Sequence, residues 1–121
     1  MVVDLEFVDE VCIVRLHGRF ATGQDKSYLR EKTEEIKESG CPRVLVDFHR
    51  VDYVDSTGIG FLIGIYTSIM KCRDGVFVLA NTNPRVREVL ELTRLTSVFP
   101  IYPDEAGALD ALRKGQSAAA L

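Results

Sequence analysis

A surplus of basic residues is missing from this sequence. There are 15 lysines and arginines against 18 aspartates and glutamates, a formal charge of −3. The cations are scattered rather than clustered, so no footprint for a nucleic-acid backbone is present. Histidine is scarce too. His17 and His49 stand at expected strand ends with no motif tying either to a nucleophile, so a hydrolase is not expected. The cysteines, Cys12, Cys41 and Cys72, are odd in number, far apart and without metal-ligand spacing, which argues against a disulfide framework and a metal site. Cys12 and Cys72 fall in apolar patterns and read as small hydrophobes. No apolar stretch is long enough to span a membrane, because the longest is broken by Gly, Thr and Ser and closed by Lys71. No secretory signal is legible. A cytoplasmic protein with reduced thiols and no membrane or nucleic-acid partner is therefore expected, without repeats or linkers.

What is present is material for one core. With 121 residues and 46% hydrophobic content, a single domain over 1–114 is expected, followed by a flexible tail over 115–121. Alternation over 2–8 and 11–16 around Asp9 and Glu10 predicts a hairpin, with Gly18 ending the second strand and a loop over 19–23. A helix is predicted over 24–39, with Leu29, Thr33 and Ile36 inward and a solvated charged face, stopped by Gly40 and Pro42. Continuous apolar runs over 43–48 and 76–80 predict strands covered on both faces, with Asp47 the one charge inside the first. Asn83 and Pro84 open a helix carrying Val86, Val89, Leu90 and Leu92. A short strand over 98–102 is weakened by Pro100, which favours a sheet edge. Pro103 and Asp104 open a last helix carrying Ala106, Leu109 and Leu112. The order ββαβαβαβα implies an α/β domain with a mixed sheet and about four helices, since parallel neighbours need crossover connections.

The stretch from Val51 to Gly60 organises the rest. After Tyr53 and Val54 the chain changes to a series apolar almost all round, Ile59, Phe61, Leu62, Ile63, Ile65, Tyr66, Ile69 and Met70, as a buried helix would. Asp55 or Ser56 can cap its start, where backbone N–H groups lack intrahelical partners. Gly58 and Gly60 each cost about 1 kcal/mol against alanine inside a helix, so two of them so early suggest a close approach to the backbone. No Gly-x-Ser-x-Gly elbow surrounds Ser56. Gly58 and Gly60 lack the third glycine and the lysine of a nucleotide loop. No cofactor and no enzymatic activity are expected. From the residues alone, a plain helix cap and an accessible regulatory hydroxyl both remain open.

The run Val44-Leu45-Val46-Asp47-Phe48, then Val51 and Tyr53 through Leu62 around Asp55-Ser56-Thr57-Gly58, resembles the signature of the bacterial anti-sigma factor antagonists. These belong to the sulfate transporter and anti-sigma factor antagonist (STAS) domains. The likeness extends to Gly18, to Asn83 and the 86–95 segment, and to Ile101 and Tyr102, and so covers nearly the whole chain. It implies a STAS-like fold and assigns the phosphoacceptor role to Ser56, with Thr57 as the neighbouring hydroxyl. It further implies that Asp55, Gly58, Ile59 and Gly60 form the motif, and that Gly18, Thr22 and Gly23 lie on a partner-facing surface. By the same resemblance the partners are an anti-sigma factor that is a serine kinase, and a serine phosphatase. The unphosphorylated form would free the sigma factor. The family often has an acidic residue soon after the glycine, whereas this chain has Arg19-Phe20-Ala21-Thr22-Gly23. A competing expectation is a non-switching scaffold of the same fold, in a stress-sensing complex or a lipid-transport assembly. A monomer is expected.

Overall fold

The computed structural model describes residues 2–20, 26–40 and 42–113. Five strands form one sheet in the spatial order of the chain: β1 (Val2–Val8), β2 (Val11–Phe20), β3 (Arg43–Val54), β4 (Val76–Ala80) and β5 (Ile101–Tyr102). β1 and β2 are antiparallel, joined by a two-residue turn in which Asp9 and Glu10 both take positive φ, 48° and 66°. That is the turn whose twist suits a hairpin. All other pairs are parallel and are joined through helices α1 (Lys26–Glu38), α2 (Ser56–Met70) and α3 (Pro84–Leu92), with α4 (Glu105–Arg113) last. The expected order and the mixed sheet are both present.

Period-two alternation sorts the strands between two layers. Cys12, Val14 and Leu16 of β2, Val44, Val46 and Phe48 of β3, and Phe77 and Leu79 of β4 face the layer built from α1, α2 and α3. Ile13, Leu45, Val78 and Ala80 face the other way, onto Ala108 and Leu112 of α4. Where these strands are covered on both sides, their buried positions among the described residues are apolar but for one. The exception, Asp47, is 7% exposed. It accepts from the His49 backbone N–H (3.0 Å) and from Asn81 Nδ2 (2.9 Å), and Arg15 Nη1 lies at 3.3 Å. Arg15 is held in turn by Glu105 and by Glu6 (2.8 Å). Those two hydrogen bonds, Glu105 first, raise the guanidinium pKa still further. A buried carboxylate without such partners would cost several kcal/mol, so this cluster is what lets Asp47 sit in the sheet.

Several expectations require correction. β2 does not end at Gly18. It runs to Phe20, with register shifts on either side of the 17–18 step, and Gly18 absorbs the irregularity at φ 92°. β3 offers a ladder as far as Val54, and a glycine that can take a left-handed φ lets β2 stay on it. β3 likewise outlasts the expected 43–48: beyond Phe48 it continues as a half-covered strand, with Val51 and Val54 buried. The last strand is only Ile101–Tyr102, at the sheet edge as expected. Residues 95–97 make a 3₁₀ turn and Val98 is exposed. Leu92 is 78% exposed because α3 buries Val86 and Leu90, and position 92 lies off that face. In α4 the buried residues are Ala108 and Leu112. Cys12 is buried, but Cys72 is exposed just beyond α2. No described helix is long and apolar enough to cross a membrane.

Candidate functional site

The carboxyl ends of the parallel strands are where crossover helices begin, so their free first-turn N–H groups gather at one end of the sheet. β3 leaves that end at Val54. Asp55 remains extended (φ −128°, ψ −156°), its Oδ1 accepts from the Thr57 N–H at 2.9 Å, and its carbonyl accepts from the Ile59 N–H at 2.9 Å. The cap is therefore Asp55, which leaves Ser56 in the first helical position. Ser56 is exposed, Thr57 half-buried, Gly58 and Ile59 buried, and Gly60 exposed again. Phe61, Leu62 and Ile65 are buried, as expected of the helix core.

Ser56 stands at the rim of a cleft of about 450 Å³ between α1 and α2. The cleft is left open where α2 presents Gly60 and Gly64 towards α1. A Cβ built on Gly60 or Gly64 would meet nothing within 4 Å. Leu29 and Phe61 supply apolar wall, while Lys26 and Arg30 supply cations. Sequence reasoning placed both cations on a solvated face and missed them here. The available signal was their four-residue spacing on a helix that must return parallel to α2.

Of the other expected site residues, Gly18 pairs with Val51 in the β2–β3 ladder, at the same end of the sheet as Ser56. Thr22 and Gly23 lie outside the described residues, as do Cys41 and 115–121. Nearby, Arg19 and Arg85 lie 5.3 and 5.6 Å from the ring centroid of Tyr53. Asn83 caps α3 by accepting from the Val86 N–H (2.8 Å) and also donates to the Val51 carbonyl (2.7 Å). Among the described residues no group of three His, Cys, Asp or Glu side chains is placed to hold a metal ion. The arrangement offers a supported, outward hydroxyl beside an open, partly cationic groove.

Comparison with known proteins matches the sequence and the fold to others. A family profile described as the STAS domain matches residues 2–108. The chain is 27% identical over 110 residues to the anti-sigma F factor antagonist of Paenibacillus polymyxa, covering 91% of this chain and 93% of that one. Two solved structures share the fold. One is an anti-sigma factor antagonist from Mycobacterium paratuberculosis, with TM-score 0.82 at 23% identity, covering 93% of each chain. The other is the Bacillus cell fate determinant SpoIIAA in its phosphorylated form, with TM-score 0.70 at 24% identity, covering 93% of this chain and 100% of that one.

Proposed function

Because the chain belongs to the STAS domain family, we propose that it is an anti-sigma factor antagonist that regulates transcription by partner switching, controlled by phosphorylation of Ser56. Unphosphorylated, it binds an anti-sigma factor that is itself a serine kinase and so releases a sigma factor. Phosphorylated, it lets go, and a serine phosphatase restores the binding form. It acts in the cytoplasm as a monomer, without a cofactor and without catalysis of its own. The name of the Paenibacillus polymyxa relative supports the antagonist role.

The observation that carries the phosphoacceptor assignment is the division of labour at the start of α2. Asp55 does the capping, so Ser56 is exposed and modifying it removes no cap. In the transfer, Ser56 Oγ bonds to the γ-phosphorus of ATP, the bond to the bridging oxygen breaks, ADP leaves, and the hydroxyl proton passes to a base on the kinase. A helix N-terminus stabilises an anion through its free N–H groups and dipole, so the modified domain stays folded and the effect falls on the complex. Asp55, Thr57, Gly58, Ile59 and Gly60 form the surface the kinase reads. Gly18, Thr22 and Gly23 extend the partner-binding surface.

The test is incubation with ATP, magnesium and each anti-sigma kinase of the host, followed by intact mass and site mapping. A single phosphate on Ser56, absent from Ser56→Ala while that variant still binds the kinase, is expected. Stable complexes without transfer from any kinase would instead favour a non-switching scaffold.

A further inference from the structure

The cleft beside Ser56 carries more than a hydroxyl. α1 and α2 both return from the carboxyl end of one parallel strand to the start of the next, so they run in the same direction and begin at the same end of the sheet. Lys26, in the first turn of α1, and Arg30, one turn on, line the same cleft as Ser56 and Gly60. Glu34 lines it too, one further turn along, but lies 3.2 Å from Lys37 in an ion pair. No ion pair is found for Lys26 or Arg30 among the described residues, whereas Lys32, Lys37, Arg87 and Arg113 each have a carboxylate within 4 Å. The cleft thus sets two cations, neither ion-paired among the described residues, around a floor that Gly60 and Gly64 leave open, in a chain of net charge −3.

We infer that Lys26 and Arg30 form an intramolecular site for the phosphate of phosphorylated Ser56. The inference rests on the phosphorylation proposed above and adds what the phosphate does once attached. Its oxygens accept charge-assisted hydrogen bonds from the ammonium and guanidinium groups, together with the free N–H groups of the first turn of α2. The group brings a charge of about −1.5 to −2, which two cations nearly cancel in place. Phosphorylation then fills the cleft and withdraws Lys26 and Arg30 from the partner. The switch works by occluding and neutralising the groove more than by displaying a bare negative charge.

The experiment uses the full chain with phosphoserine installed at position 56 by encoded incorporation, so that no kinase is needed. The second ionisation of the phosphate is followed by ³¹P NMR in the folded chain and in the same chain in urea, where it should titrate near pH 6. Cations favour the dianion, so the folded value is expected to fall by about one unit. Lys26→Gln with Arg30→Gln should return at least half of that shift, and Lys37→Gln should return none. Both cationic residues are exposed, so these variants keep the fold, checked by circular dichroism, and each single variant gives a second reading. An undepressed value, or a depression untouched in the double variant and therefore due to the helix start alone, overturns the inference. A cation-dependent shift in a chain that no kinase modifies would uphold the cleft assignment and remove the phosphorylation reading. A kinase-modified Ser56 with no shift would do the reverse.

Discussion

α2 and α3 begin at the same end of the sheet with nearly the same cap and end up in opposite states. Asp55 and Asn83 are both extended, and each turns a side-chain oxygen onto a first-turn N–H, at 2.9 and 2.8 Å. Asn83 has a second arm. Its Nδ2 donates to the Val51 carbonyl at 2.7 Å, which ties α3 to β3, and Pro84 follows with a φ already suited to a helix. Asp55 has no donor, since an ionised carboxylate only accepts, and it is followed by Ser56, Thr57 and Gly58. One start is locked into the sheet and the other is left open above a cleft. The lesson is that an Asx cap supplies the helix in both cases, while the donor and the residues that follow decide whether the helix start is structural or available.

Five substitutions, in three steps, would break or sharpen this contrast. The largest effect should come from the floor the two helices share. Leu62 of α2 and Leu90 of α3 are both at most 1% exposed, and truncating either to alanine should cost about 3 kcal/mol in urea unfolding. A much smaller loss for Leu62→Ala would mean that α2 is loosely docked throughout and not merely open at its start. Next come the caps. Asn83→Ala loses the cap and the hydrogen bond to the Val51 carbonyl, for about 2 kcal/mol, whereas Asp55→Ala loses the cap on the Thr57 N–H, for about 1 kcal/mol. Equal losses would dissolve the distinction between a locked and an open start. The smallest effect has the opposite sign. Gly60→Ala adds a methyl where nothing lies within 4 Å and should raise stability by up to about 1 kcal/mol. The same variant should weaken the proposed complex by filling the groove. Destabilisation by Gly60→Ala would show that the glycine serves the fold.

Much of this could be read from the residues. The hairpin at Asp9 and Glu10, the doubly covered strands, the cap at Asn83 and the edge position of the last strand each follow from local chemistry, which acts within a few residues. The misreadings share one cause. Glycine is a local breaker, so Gly18 reads as a strand end, but β3 continues beside it as a ladder. Lys26 and Arg30 read as solvated charges because a helical sequence shows its polar face without showing what stands across from it. Asp47 stands out in the sequence as an odd charge in a strand, but Arg15 and Asn81 lie 32 and 34 residues from it, and Glu105, which holds Arg15, lies 90 residues from that arginine.

By itself, the sequence determined the element order, the two-layer pattern and the presence of a hydroxyl at a glycine-bearing helix start. Periodicity and capping are written in neighbouring residues, and they suffice for those features. Between Asp55 and Ser56 as the cap, only the tertiary structure decided. The backbone leaving β3 sets which side chain turns back onto the helix and which turns out. It also decided that the open hydroxyl faces a cleft walled by a second helix with two cations. That juxtaposition depends on parallel crossovers packing α1 and α2 side by side on one face of the sheet, a relation between segments some 30 residues apart that no local spacing encodes.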